Sequence, residues 1–363
     1  MDKSSYKFKS LESKYDNFTA PAFEITVGGL TFDTQIIPVS DLLVDIDSGT
    51  GAGGCSFTII SLYDYKNSEF TENILKKVKV GADITIKGGY IKKEEIFFGF
   101  VDDFSVAFEA DDSPKIIVNG IDAKGFLMNA KSEKYMGEKK SDEIVKTLLN
   151  DCVSEGYAKE VTVGTVPPFN AQIIQEGMNN YDFLCFIAEM SGVSFFVVNG
   201  EIVFDDVIKN TGSMIDLTLG IGLNSFSKNL TLRKQVGKVI VYGIDPVTKK
   251  EIQGESTKSG SKFACDIASG FGSVTEKINS MFVATPDECK KLAQAKFNAH
   301  SGSFLTGKGT CVGLPELIPG RYVTLAGLDD SCNGKYYVSK VQHEFGSESG
   351  YYTHFEVKGA TSE

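Results

Sequence analysis

The chain has 363 residues, and at about 100 to 200 residues per domain this length predicts two or three domains. Its composition is that of a folded globular protein, and 37 glycines against 9 prolines favour β structure with many tight turns. A net charge of −11 and a pI near 5.0 argue against broad contact with nucleic acid or an anionic membrane, because both depend on Lys and Arg. We therefore expect no specific nucleic-acid binding.

The N-terminal segment is polar and lacks the apolar core of a signal peptide, and no run approaches about 18 apolar residues. We expect neither export by that route nor a membrane span. The seven cysteines have no CxxC spacing, which indicates reduced thiols rather than disulfides or a zinc site. They are Cys55, Cys152, Cys185, Cys265, Cys289, Cys311 and Cys332.

A polar N-terminal arm, residues 1–20, precedes a first β domain predicted over residues 21–130. Apolar Leu42, Val44 and Ile46 alternate with aspartates, the pattern of a strand with one buried face. A similar alternation predicts a strand over Val78–Lys87. Further strands are expected at Cys55–Leu62, Glu95–Val101, Phe104–Phe108 and Ile116–Ile121, so this region should form a barrel or sandwich without a helix of normal length.

The apolar period changes from 2 to 3.6 in residues 131–206, which predicts an inserted α/β domain. A helix should begin at Ser141 and end near Gly156. A second helix, Tyr181–Ser191, is predicted to be capped by Asn179 or Asn180, to be stopped by Gly192 and to lead into a hairpin.

Residues 207–363 are predicted to form a second barrel, interrupted at about 245–300 by a polar excursion and a helix. The excursion, Asp245–Ser273, is rich in Gly, Ser, Lys and Thr and indicates a loop or mobile flap. Thr285 should cap the helix, with Pro286 at its first position and Glu288 completing a capping box, and the helix should end near Ala299. Strands follow at Phe304–Val312, Arg321–Leu325, Tyr336–Phe345 and Tyr351–Lys358.

Two glycine-rich stretches resemble nucleotide-binding motifs but lie in the wrong context. Gly302–Gly309 nearly matches the phosphate-binding loop, yet Gly309 replaces the Ser or Thr that binds Mg²⁺, and a helix precedes it. Gly49–Gly54 fits GxGxxG, but a β pattern follows it, so no helix N-terminus would meet a pyrophosphate. Loops and turns are the simpler interpretation.

Cys311 with His343 or His354 could in principle form a nucleophile and base. Packing in strands is the favoured interpretation, because these residues alternate with apolar or polar neighbours and match no metal-ligand spacing. Four aspartate pairs could supply acid and base groups, but all four fall where strands are predicted to turn, and Asp is common in turns for backbone reasons. The pairs are Asp102–Asp103, Asp111–Asp112, Asp205–Asp206 and Asp329–Asp330. We expect no catalytic residue, cofactor or metal, and no enzyme.

The C-terminal region carries a specific resemblance. Its segments ATPDECKKLAQAKFNAHSGSFLTGKGTCVGLPELIPGRYVTLAGL, NGKYYVSKVQHEF and GYYTHFEVKG resemble the phage late-control D family of contractile-tail hub proteins. They are also similar to the hub part of VgrG proteins. The helix Asn180–Gly192 and the stretches IFFGFVDDFSVAF and IIVNGIDAKGFLM extend the resemblance to about Pro21–Gly359.

The resemblance implies a mainly β fold of two tube-protein-like barrels with an α+β insertion. It implies a homotrimer that adapts a threefold central spike to a sixfold inner tube, with other baseplate proteins as further partners. Assembly is expected in the bacterial cytoplasm, and the particle is left open among a phage tail, a tailocin and an extracellular injection particle. Because VgrG proteins continue into a spike and this chain stops after its second barrel, we expect the spike to be a separate protein.

Two alternatives remain at this point. A carbohydrate-binding or adhesive β-barrel protein is disfavoured because the chain has no Trp for stacking on sugar rings. A hydrolase using Cys311 and His343 is a more distant possibility.

Overall fold

The structure, a computed structural model, describes residues 4–33, 38–60, 63–130, 141–166, 175, 177–257, 263, 272–346 and 350–360. It is mainly β with a closed six-stranded barrel, additional strands and a few helices, which confirms the predicted fold class. The helices are α1 (Phe8–Lys14), α2 (Ile74–Lys77), α3 (Lys124–Asn129), α4 (Ser141–Ser154), α5 (Asn180–Ser191) and α6 (Pro286–Phe304), with 3₁₀ turns at Asp16–Phe18, Thr71–Asn73 and Val207–Lys209.

The strands before residue 206 lie in residues 21–130, which we call the first barrel region after the sequence prediction, and in the predicted insertion. They are β1 (Ala22–Val27), β2 (Leu30–Asp33), β3 (Val39–Asp47), β4 (Gly54–Ile59), β5 (Tyr63–Asp64), β6 (Glu69–Phe70), β7 (Asp83–Gly89), β8 (Lys93–Glu109), β9 (Asp112–Ile121), β10 (Glu160–Val163), β11 (Ser194–Val198) and β12 (Glu201–Asp205).

The later strands are β13 (Ser213–Leu219), β14 (Gly222–Leu230), β15 (Lys238–Ile244), β16 (Glu251–Thr257), β17 (Thr275–Asn279), β18 (Leu305–Val312), β19 (Tyr322–Ala326), β20 (Gly334–Gly346) and β21 (Gly350–Ala360).

Thirteen strands form one sheet in the order β19-β13-β14-β18-β21-β20-β3-β4-β9-β8-β7-β1-β2. An additional pairing of β19 with β20 closes the six C-terminal strands into a barrel. The remaining seven strands continue the same sheet through the pairing of β20 with β3. One hydrophobic core fills both regions.

Strand β20 changes partner along one of its edges. Gly334–Tyr337 pairs with β19, whereas Lys340–Phe345 pairs with β3. The pairing with β21 on the other edge shifts register between Val338 and Lys340, as at a β-bulge. Ser339 at this shift accepts a backbone hydrogen bond from Ser48 at 2.8 Å. The bulge thus lets one strand complete the closed barrel and then join the neighbouring sheet.

Two smaller units have cores of their own. Helices α3, α4 and α5 pack on β10–β12, with β10 parallel to β12 and β11 antiparallel to it. Strands β15–β17 form a separate sheet whose core residues contact α6 and reach Met190 of α5. The Asn179 side chain caps α5 and Gly192, with φ of 65°, ends it, as predicted.

Several predicted boundaries were wrong. The strand predicted over Val78–Lys87 begins only at Asp83, because residues 78–82 form a turn in which Gly81 has a φ of 82°. The strands predicted at Glu95–Val101 and Phe104–Phe108 are one strand, β8, with a register shift between Val101 and Asp103. Helix α6 is capped by Thr285 as predicted, but it extends to Phe304.

The polar excursion was also misjudged in part, since β16 lies inside it and pairs with β15 over its whole length. Gly254 takes the place of the apolar residue that β16 would otherwise show where it contacts α6. A Cβ atom at Gly254 would lie 2.2 Å from the backbone nitrogen of Lys290, so this strand packs directly on α6 through a glycine. Residues 258–262 and 264–271 of the excursion lie outside the described residues.

Candidate assembly surfaces

A row of cross-strand partners runs through the junction of the two barrel regions. Cys311 lies opposite Thr353, Thr353 opposite His343, His343 opposite Val44, and Val44 opposite Cys55. All five residues are buried. The junction is therefore part of the continuous core.

Cys311 and His343, the candidate nucleophile and base, are separated by Thr353 in this row. Burial raises the pKa of the Cys311 thiol and lowers the pKa of His343 to about 3. The Cys311 thiol donates to the Thr353 carbonyl at 3.4 Å. The buried thiol stays protonated and the buried imidazole stays neutral, so neither offers an accessible thiolate or base. Both residues serve packing, in line with the favoured interpretation.

His354 lies on the opposite, outer face of the same strands. Its Nδ1 is 2.9 Å from the Thr310 hydroxyl and its Nε2 is 3.0 Å from a Glu344 carboxylate oxygen. The neighbouring pair Lys308–Glu356 spans 2.8 Å between the same strands, β18 and β21. His354 is thus one member of a polar cross-strand network and does not face Cys311.

In the GxGxxG stretch, residues 49–53 lie in the loop between β3 and β4, as predicted, and Gly54 begins β4. The buried ammonium of Lys124 donates to the carbonyls of Gly49 and Gly51 at 3.1 and 2.6 Å. The buried Asp122 carboxylate accepts from the Gly53 backbone N–H at 2.7 Å, and a Cβ atom at Gly53 would lie 2.8 Å from it. The loop thus presents two carbonyls to a cation and one N–H to a carboxylate, whereas a phosphate-binding loop presents several N–H groups to one anion.

This loop also connects the first barrel region to the insertion. The Tyr181 hydroxyl of α5 donates to the Thr50 carbonyl, and the Lys124 ammonium lies 5.1 Å from the Phe195 ring centroid. Burial raises the pKa of Asp122 and lowers that of Lys124, and the charge of each residue opposes the other's shift. Sequence analysis missed this pair, although two charges beside the end of an apolar strand, in IDAKGF, were a visible signal.

The near phosphate-binding stretch Gly302–Gly309 runs from the end of α6 directly into β18. Its glycines lie under aromatic rings. Cβ atoms at Gly302, Gly307 and Gly309 would lie 2.9 Å from Phe263, 2.9 Å from Phe226 and 2.3 Å from Phe355, respectively. These glycines make room for rings of the second barrel and its surroundings.

The aspartate pairs have backbone roles in part. Asp329 accepts from the Ser331 backbone and hydroxyl at 2.9 and 2.6 Å, and Asp111–Asp112 forms the β8–β9 turn, as predicted. Asp205–Asp206 lies at the end of β12, where Asp205 accepts from the Asp206 N–H. The turn prediction for Asp102–Asp103 was wrong, because both lie exposed within β8.

The described part of the N-terminal arm, residues 4–20, contacts both barrel regions. Tyr15 is buried, and its hydroxyl donates to Glu316 at 2.7 Å. Lys14 lies 2.8 Å from Glu316 and 2.6 Å from Glu94 of β8, so α1 contacts both barrel regions. Further along the arm, the Ser5 hydroxyl donates to the Ser213 carbonyl at 2.7 Å.

Six cysteines fall within the described residues, and all six are free. Cys265 lies outside the described residues. Across the described part of the chain no group of three or more His, Cys, Asp and Glu side chains could hold a metal ion. None of its helices combines the length and apolar character needed to cross a membrane.

This fold is that of tail proteins. The chain superposes on the 43 kDa tail protein of prophage MuSo2 from Shewanella oneidensis with a TM-score of 0.70 and 16% identity, covering 93% of this chain and 98% of that one. A tail protein from Neisseria meningitidis MC58 superposes with a TM-score of 0.68 and 13% sequence identity, covering 93% of this chain and 96% of that one. An E. coli protein described as a component of the type VI secretion system superposes with a TM-score of 0.52 and 12% sequence identity, covering 93% of this chain and 77% of that one.

The family is identified by sequence. A family model described as the Alg8 N-terminal domain matches residues 31–347, and the chain belongs to that family. This description differs from the late-control D family that the residues resemble. A search of curated proteins finds no match.

Proposed function

We propose that this protein is the structural hub of the baseplate of a contractile tail or injection system, in the manner of late-control D proteins. Three copies would form a homotrimer that adapts a threefold central spike to a sixfold inner tube. The proposed division of the chain is an arm at 1–20, a first barrel at 21–130, an α/β insertion at 131–206 and a second barrel at 207–363.

The observation that carries this proposal is the fusion of a closed barrel with a second β region through one shared strand. Strand β20 pairs with β19, β21 and β3, so the two regions form a continuous sheet over a common core. In this proposal each region fills one tube-like position, so one chain supplies two positions and a threefold assembly can meet a sixfold one. The tail-protein fold, matched over 93% of the chain, agrees with this role.

The proposed role is non-enzymatic and depends on shape. The residues that could have formed a nucleophile and base, Cys311 and His343, instead pack in the core that joins the barrels. The proposed partners are a second and third copy of the chain, the central spike protein, the inner tube protein and other baseplate proteins. Assembly would take place in the bacterial cytoplasm, and the product would be part of a phage tail, tailocin or extracellular injection particle.

The mass of the purified protein in solution tests this proposal. We expect about three times the chain mass of 39.4 kDa, rings in negative-stain images, and binding of both the spike and the tube protein of the same particle. A stable monomer that binds neither protein but does bind glycans would support the adhesive alternative and reject the hub.

A further inference from the structure

An exposed aromatic cluster lies beside the first barrel region. We define the aromatic hairpin patch as Tyr63, Tyr65, Phe70 and Phe108. Tyr65 is 66% exposed and Phe108 is 61% exposed, which is unusual for neighbouring large rings. The Tyr63 ring centroid lies 5.2 Å from that of Tyr65, 5.1 Å from Phe70 and 5.5 Å from Phe108, all edge to face.

The patch holds together two separate hairpins. Strands β5 and β6 form a two-stranded sheet that is not part of the thirteen-stranded one, and Phe108 comes from the end of β8. Ring contacts therefore attach the β5–β6 hairpin to the β8–β9 turn. The same contacts leave one side of two rings open to water.

The rim of the patch is acidic. Five carboxylates and two ammonium groups on the same two hairpins give a net charge of −3. Hydrogen bonds from the Lys66 and Asn67 backbone hold the pKa of Asp64 below its usual value, so that carboxylate stays charged near neutral pH. The carboxylates are Asp64, Glu69, Glu109, Asp111 and Asp112, and the ammonium groups are Lys66 and Lys115.

We propose that the aromatic hairpin patch docks a partner protein whose surface presents Lys or Arg around an apolar hollow that receives Tyr65 and Phe108. Charge complementarity selects this occupant. The acidic rim would repel the same patch on a second copy, and it would repel nucleic acid. Exposed aromatic rings at the centre of a charged rim have the composition of a binding hot spot, in which large rings supply most of the affinity.

This inference rests on the proposed function only for the choice of probes. The probes are the purified inner tube protein, the spike protein and each other baseplate protein of the same particle, measured one at a time for binding to the full chain. We expect one probe to bind the wild type and the double variant Tyr65→Ser/Phe108→Ser to lose at least about 30-fold in affinity for it.

A second variant changes the charge of the rim and leaves the aromatic rings in place, so its effect does not depend on the ring contacts that hold the hairpin. Glu109→Lys/Asp111→Lys should weaken the same complex about tenfold at low salt and less at high salt, because screening reduces the lost attraction. The matched controls are Val247→Ser, a residue 86% exposed on another part of the chain, and Asp330→Lys, an exposed aspartate in another turn. Both controls should bind like the wild type.

Three results would overturn the proposal. If every variant binds all probes as tightly as the wild type, the patch is not a docking site, while the hub proposal stands. If Tyr65→Ser/Phe108→Ser changes the mass of the protein alone, the occupant is a second copy. If the wild type binds no probe, both the docking proposal and the hub proposal fail.

Discussion

The imidazole Nδ1 of His343 lies 2.9 Å from the hydroxyl oxygen of Tyr351, and both side chains are buried where β20 joins the two barrel regions. The Thr353 hydroxyl lies 3.2 Å from the same nitrogen. Among the described residues Nε2 has no hydrogen-bond partner. A protonated imidazole here would be a buried charge without a counter-ion, so the pKa falls to about 3.

This pKa predicts acid sensitivity. Between pH 6.5 and about 3 the unfolded chain binds a proton at His343 that the native chain does not, so the free energy of unfolding falls as the pH falls. The loss is about 1.4 kcal/mol per pH unit for one residue. Urea unfolding at pH 7 and pH 4.5 should therefore show about 3 kcal/mol more acid destabilisation for the wild type than for His343→Gln. Parallel pH curves for the two proteins would contradict a neutral buried His343.

Local patterns in the sequence were sufficient for much of the fold. The alternation of Leu42, Val44 and Ile46 correctly predicted the buried face of β3, and Thr285 correctly predicted the start of α6. These signals work because each depends on neighbours within one element.

Contacts between distant segments could not be read in this way. Lys124 binds carbonyls of the Gly49–Gly51 loop, more than seventy residues away, and only the folded sheet brings them together. The N-terminal arm looked polar because few of its residues are buried, yet the buried Leu11 and Tyr15 and the ion pairs of Lys14 join it to the rest of the fold. Strand β16 was missed because Gly254 replaces the apolar residue that a strand pattern would show at a helix contact.

The buried Asp122–Lys124 pair should respond sharply to the loss of one partner. Lys124→Met leaves a buried carboxylate without its cation, and we expect a cost of about 3–5 kcal/mol in the free energy of unfolding, measured in urea. Lys79→Met, at an exposed lysine of the same barrel region, should change stability by less than about 0.5 kcal/mol.

The double variant Asp122→Asn/Lys124→Met separates charge from packing. An asparagine oxygen can still accept from the Gly53 N–H while the buried charge is gone, so the double variant should be more stable than Lys124→Met. If the two substitutions destabilise additively, the coupling between Asp122 and Lys124 is absent.

A substitution at Gly309 tests whether the glycines of the Gly302–Gly309 stretch are there to make room for aromatic rings. An added Cβ would lie 2.3 Å from the Phe355 ring, so Gly309→Ala should cost about 1–3 kcal/mol through overpacking. The combination with Phe355→Leu should recover part of that loss.

The control for this glycine is Gly212→Ala, where the nearest atom to an added Cβ is Asn210 Oδ1 at 3.6 Å. This substitution should be close to neutral. Equal effects at the two glycines in thermal unfolding would mean that the contact with Phe355 does not decide the cost at Gly309.

Tyr15 tests whether the N-terminal arm is part of the folded unit. Its ring lies 5.3 Å from that of Tyr90, and its hydroxyl donates to Glu316. Tyr15→Ala should cost about 3–5 kcal/mol, the range for losing a large buried aromatic ring. Tyr15→Phe removes only the hydroxyl, and because Glu316 keeps its contact with Lys14, the cost should be about 1 kcal/mol. Urea unfolding of the two variants tests whether the arm packs on the barrel. If the arm is not packed, neither substitution changes the free energy of unfolding. If it is packed as observed, Tyr15→Ala lowers that free energy several times more than Tyr15→Phe does.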